Sequence, residues 1–108
     1  MRRDIDGYSY DDARVVHEIG EVYRRHGYIL DPHSAIAWLA LQERLGREQD
    51  VRGVFLATAH PAKFREVVEP AIGQPVSLPP ALADALSRPR HSVSMPAEYR
   101  ALEEFLRA

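Results

Sequence analysis

The stretch Val54, Phe55, Leu56, Ala57, Thr58, Ala59, His60, Pro61, Ala62, Lys63, Phe64 decides how this chain is read. Its first four residues form a continuous apolar run rather than an alternating one, the pattern of a strand covered on both faces as in a parallel sheet. Beyond it, Phe64, Val67, Val68, Ala71 and Ile72 fall on one helical stripe, which Gly73 ends. A strand running into a helix is the building block of α/β proteins, and ligands collect just beyond the carboxyl ends of such strands. No other stretch reads convincingly as a strand. The N–H and C=O groups of residues 54–57 therefore need ladder partners from strands outside this chain or from another copy of it.

Working upstream, Asp31 followed by Pro32 predicts a helix start, because aspartate accepts from free N–H groups and proline suits the first helical position. From residue 35 to residue 41 the helix reads Ala, Ile, Ala, Trp, Leu, Ala, Leu and has no polar face, which predicts burial on every side. An earlier helix carries Val15, Ile19, Val22 and Tyr23 on one face, with Ser9 as its expected cap and Gly27 as its stop. Working downstream, Pro79 and Pro80 open a short helix with Leu82 and Leu86. Pro96 opens a last one with Tyr99, Leu102, Phe105 and Leu106, after an irregular segment over 87–95. The fold class expected is α/β, a mostly helical segment with one buried-type strand, whose missing cover marks it as part of something larger. An independent helical domain, with 54–57 as a mere core segment, is the competing reading.

The composition narrows the function. With 108 residues, 14 Lys and Arg against 16 Asp and Glu, and a net charge of -2, the chain has no basic surplus for a nucleic-acid backbone. Absence of cysteine removes disulfide scaffolds and thiolate zinc sites. No apolar run approaches a membrane span and the N-terminus lacks a signal-peptide pattern, so the expectation is a soluble, cytoplasmic protein. The histidines His17, His26, His33, His60 and His91 show no paired ligand spacing, and no glycine-rich phosphate loop is present.

One dense cluster could carry chemistry. Thr58, Ala59 and His60 lie where the expected strand ends and a helix begins, where a hydroxyl, an imidazole and backbone N–H groups would meet a ligand. The structural alternative is that Thr58 caps the next turn and His60 is a partly buried, satisfied histidine. Lys63 is the only lysine, and its place beside Arg65 and Glu66 at a helix start argues for a solvated side chain.

Two stretches carry a resemblance: residues 26–37 (His26, Gly27, Tyr28, Ile29, Leu30, Asp31, Pro32, His33, Ser34, Ala35, Ile36, Ala37) and residues 56–64. Together with Leu78, Pro79, Pro80, Ala81 and Leu82, they are similar to the C-terminal signatures of threonine synthase, at fitting spacing. The resemblance implies a pyridoxal 5'-phosphate enzyme of the tryptophan-synthase-like fold, a lyase of threonine biosynthesis that turns O-phospho-L-homoserine and water into L-threonine and phosphate. It implies that residues 1–108 are a single segment matching the C-terminal part. It implies that the N-terminal catalytic part, with the cofactor's lysine and phosphate loop, is absent from these 108 residues. By the same resemblance Thr58 faces the pyridine nitrogen, Ala59 and His60 line the pocket, and Asp31 and His33 belong to a helix start near the cofactor. The chain alone is then expected to be inactive, to need the N-terminal part as partner, and to self-associate through its uncovered apolar surface. A non-catalytic helical binding or assembly module derived from the family is the alternative.

Overall fold

The computed structural model describes residues 5–47 and 50–107. These form α1 (Asp12–His26), α2 (Pro32–Leu45), a 3-10 turn (Pro61–Phe64), α3 (Arg65–Ile72), α4 (Pro80–Ser87) and α5 (Tyr99–Arg107). No described helix is long and apolar enough to cross a membrane.

The cap of α1 is Asp11, whose carboxylate accepts from the Arg14 N–H at 2.8 Å. This corrects the expected cap at Ser9, which lies upstream of the position from which a side chain reaches the first free N–H groups. Gly27 ends α1 as expected, at φ 66°, with its N–H donating to the Tyr23 carbonyl at 2.8 Å. That left-handed conformation costs a residue with a Cβ more than it costs glycine. Gly73 closes α3 in the same way, at φ 72°.

The core gathers around α1. Val15, Ile19 and Val22 pack with Leu30, Ala35, Ala62, Val68 and Val76, and Ile19 and Val68 are fully buried. α1 approaches α3 so closely that a Cβ added to Gly20 would lie 2.8 Å from the Ala71 carbonyl oxygen. On its other side α1 is tied to α2 through Glu18, whose Oε1 accepts from Trp38 Nε1 and Gln42 Nε2, both at 3.0 Å. Burial of α2 is less complete than its sequence predicts. Ala35 and Leu39 are buried, while Ile36, Ala37, Trp38, Ala40 and Leu41 are half-buried.

The expected strand at 54–57 is not formed, and the described residues contain no strand at all. The physical reason is the one the apolar run itself raised: a ladder needs a second strand, and the described residues supply none. Residues 51–57 run past α2 with their side chains on alternate sides. A Cβ on Gly53 would collide with Leu41, and Phe55 meets Trp38 at 5.6 Å between ring centroids. Val54 and Leu56, between and beyond them, are 86% and 76% exposed.

The shape agrees with missing cover. The radius of gyration is 18.8 Å, against roughly 13 Å for a compact domain of this length. Its accessible surface is 8974 Å², against roughly 6,100 Å² for a folded monomer of this mass. These figures weigh against a self-contained helical domain. Neither α4 nor α5 has a buried residue.

Candidate functional site

The turn that joins 51–57 to α3 is built by a histidine. His60 caps the 3-10 turn, its Nδ1 accepting from the Ala62 N–H at 3.1 Å and its carbonyl accepting from the Lys63 N–H at 3.0 Å. Neutral His60 in this arrangement carries its proton on Nε2. Ala62, which receives the cap, is buried in the core. The cap role weighed for Thr58 therefore falls to His60, and His60 is exposed rather than partly buried.

Ala59 and His60 line a cleft of about 510 Å³ whose other walls are the loop 27–29 after α1 and the segment 74–77 after α3. Ala59 is half-buried there. Thr58 is exposed, does not line the cleft, and its hydroxyl makes no hydrogen bond among the described residues. Lys63 is exposed as well. Among the described residues no group of three His, Asp or Glu side chains is placed to hold a metal ion.

The 74–77 wall is held by Glu69, which the sequence reading passed over. Its Oε1 accepts from the Val76 N–H at 3.0 Å and from Arg65 Nε at 2.6 Å. The Val76 N–H first, and the Arg65 guanidinium second, hold this carboxyl below the usual carboxylate range. The spacing of Arg65 and Glu69 on one helix face was a signal for the ion pair. Nothing in the sequence pointed to Val76, since that contact depends on the chain reversal at Gly73.

Asp31 is 1% exposed and anchors the start of α2. Its carboxylate accepts from the His33 N–H at 3.0 Å, from the Ser34 N–H at 3.4 Å, and from the Ser34 hydroxyl. His33 Nδ1 lies 3.2 Å from the same carboxylate. Sequence spacing offered His33 no partner, yet its ring packs against Phe64. Asp31 and His33 thus join the helix start to the 3-10 turn, and neither lines the cleft beside Ala59.

Helices wrapped on α1, an uncovered segment and an exposed turn define one part of a larger fold, and comparison with known proteins gives the class: residues 34–106 match the family described as "Threonine synthase, C-terminal", and this chain belongs to it. Threonine synthase of Escherichia coli K12 is 36% identical over 100 residues, covering 93% of this chain and 23% of that protein. The enzyme of Pseudomonas aeruginosa is 41% identical over 106 residues, covering 97% and 22%. Among solved structures, Escherichia coli threonine synthase superposes with a TM-score of 0.87 at 34% identity, over 99% of this chain and 24% of that one. The PLP-bound threonine synthase of Brucella melitensis superposes with a TM-score of 0.65 at 35% identity, over 89% and 20%. The chain thus spans about a quarter of the length of these relatives.

Proposed function

We propose that this chain works as the C-terminal part of a cytoplasmic threonine synthase, and that the turn Thr58, Ala59, His60 forms the wall facing the pyridine ring of pyridoxal 5'-phosphate. The reaction is the conversion of O-phospho-L-homoserine and water to L-threonine and phosphate. It requires an N-terminal part that supplies the cofactor's lysine and phosphate loop. The observation that carries this reading is the match of almost the whole chain to one quarter of a threonine synthase at a TM-score of 0.87.

The residues of the turn suit the cofactor. A ring nitrogen needs a donor with no competing partner, and the exposed Thr58 hydroxyl has none among the described residues. A flat ring also needs a neighbour of small volume, which Ala59 provides. When bound, pyridoxal phosphate supplies the electron sink, and the protein binds, orients and tunes it. Thr58 would donate a hydrogen bond to the ring nitrogen without carrying charge, and His60 fixes the turn through its cap on Ala62. Lys63, the only lysine, is exposed on the 3-10 turn and takes no part. Standing alone, the chain also self-associates through its uncovered apolar surface at 54–57 and 35–41, where Val54 and Leu56 are exposed and Ala37, Ala40 and Leu41 half-buried.

The test grafts residues 1–108 in place of the corresponding segment of the Pseudomonas aeruginosa enzyme. The expected result is a chimera that retains pyridoxal phosphate by absorbance and releases phosphate from O-phosphohomoserine, while the 108-residue chain alone does neither. A folded chimera that fails to hold the cofactor, or turnover by the chain alone, overturns the proposal.

A further inference from the structure

We infer that Glu69 is a positioning residue of the proposed site: its carboxylate ties the turn that carries Thr58, Ala59 and His60 to the 74–77 segment across the cleft, and so fixes where that turn meets the ring of pyridoxal phosphate. The inference rests on the proposed function and adds to it a residue outside the lining of the cleft.

Glu69 grips both sides of a chain reversal. Its carbonyl accepts from the Gly73 N–H at 2.9 Å, which closes α3, and its Oε1 accepts from the Val76 N–H at 3.0 Å, beyond the reversal. No backbone group of residues 74–77 is hydrogen-bonded to other backbone among the described residues, and Pro75 has no N–H to give. Among the described residues, the main chain of this wall is therefore tied to α3 by the Glu69 carboxylate.

The same oxygen reaches toward the opposite wall. Oε1 also accepts from Arg65 Nε at 2.6 Å, and Arg65 is the first residue of α3, directly after the 3-10 turn that His60 caps. An ion pair at this spacing would by itself serve only the helix. With the Val76 N–H on the same oxygen, it becomes a link between the segments that carry the two walls. Those segments meet again in the core, where Val76 is buried with Ala62, the residue whose N–H His60 caps. The turn needs such support, because neither the Thr58 hydroxyl nor the Ala59 methyl group fastens it by a hydrogen bond among the described residues. Its placement comes from the His60 cap and from the start of α3 that Glu69 braces, and hydrogen bonds to a charged group hold a site more firmly than neutral ones.

The test compares Glu69→Ala, Glu69→Gln and Arg65→Met in the Pseudomonas aeruginosa chimera. Pyridoxal phosphate is titrated by absorbance, the circular dichroism of the bound cofactor reports its orientation, and phosphate release gives kcat and KM for O-phosphohomoserine. Glu69→Ala should weaken cofactor affinity about tenfold, alter the dichroism of the cofactor that remains, and lower kcat at saturating cofactor while KM stays within about twofold. Glu69→Gln keeps an amide oxygen that accepts hydrogen bonds and should restore most of the affinity and dichroism. A residue that only stabilised α3 would lower the unfolding midpoint and leave affinity, dichroism and kcat at parental values. That result in folded Glu69→Ala overturns the inference and leaves the proposed function standing. If Glu69→Ala does not fold, Arg65→Met decides, since it keeps the Val76 bond and cuts the link to the turn: changed dichroism upholds the inference and parental dichroism overturns it. An unmutated chimera that holds no cofactor overturns the proposed function, and this inference with it.

Discussion

The ring of His33 meets the ring of Phe64 edge-on, with centroids 5.2 Å apart and planes at 61°. One residue belongs to the start of α2 and the other to the end of the 3-10 turn after the Thr58, Ala59, His60 cluster. Each lies in one of the two stretches that carry the family resemblance. Edge-to-face contacts of this kind contribute about 0.5–1.5 kcal/mol beyond area burial. The contact depends on Asp31, which holds both the backbone N–H and the ring of His33.

Replacing Asp31 with alanine removes the cap of α2 and leaves the N–H and hydroxyl of Ser34 without their acceptor in a residue only 1% exposed. The loss of a cap and the desolvated donors together should cost about 2 kcal/mol or more. Asp31→Asn retains an acceptor and should cost less. Urea unfolding followed by circular dichroism measures both, and an Asp31→Ala protein with the parental midpoint would remove this anchor from the account.

Two glycines separate close approach from mere turn propensity. Gly20→Ala sets a Cβ 2.8 Å from the Ala71 carbonyl oxygen, and backbone cannot swing aside as a flexible side chain can. The expected loss is about 1–3 kcal/mol, with α1 and α3 forced apart. Gly46 has φ -64° and ψ -15°, and an added Cβ there would meet nothing nearer than 3.5 Å. Gly46→Ala should therefore be neutral or stabilise by about 0.4–1 kcal/mol. Thermal unfolding of the two variants side by side checks the contrast.

Much of this was legible in the residues, and the exceptions share one cause. Asp31 with Pro32, Gly27 and Gly73 set element boundaries through local chemistry that acts within a turn of chain, and each appears where expected. The stripe of α3 likewise buries Val68 with Val67, Ala71 and Ile72 beside it. Whatever depends on distant partners was not legible. The apolar run at 54–57 predicts a strand that the structure does not form, because the described residues supply no second strand to complete a ladder. The full burial expected of α2 fails for the same reason. In the site, residue types announced the turn, whereas the Glu69 contact to Val76 and the His33 contact to Phe64 arise only after the chain folds back.

Glu69 should make stability sensitive to acid. Its carboxyl is lowered from an ordinary value of 4.5 by the Val76 N–H and then by Arg65. A carboxyl lowered in the folded state binds protons less readily there than in the unfolded chain. Its contribution is present above about pH 4.5 and is lost as the pH falls through the lower, folded value. Glu69→Gln should therefore be less stable than the parent near neutral pH and should lose less on acidification. Glu21, lowered chiefly by its hydrogen bond from Arg24, remains in the variant, so the acid slope shrinks without vanishing. Urea midpoints from pH 3 to pH 7 read it out, and parallel curves for the two proteins would exclude this role for Glu69.

Thr58 provides the sharpest test of the proposed site, because removing its hydroxyl costs the fold nothing that the structure shows. It is exposed and makes no hydrogen bond among the described residues, so Thr58→Val should leave the unfolding midpoint of the chain within about 0.5 kcal/mol of the parent. In the chimeric enzyme the same change deletes the proposed donor to the pyridine nitrogen while keeping side-chain shape. An acceptor left unpaired in a dry site costs about 1–3 kcal/mol, which is roughly a 5- to 150-fold loss in cofactor affinity. Turnover should fall with it. Thr58→Asp acts in the opposite electrical sense: a carboxylate facing the ring nitrogen favours its protonated form, which should alter the absorption spectrum of the bound cofactor. Thr58→Ser retains the hydroxyl and should restore both affinity and spectrum. Thr58→Val enzyme with parental affinity, turnover and spectrum would return Thr58 to the role of an ordinary turn residue and leave the cofactor's ring nitrogen to another group.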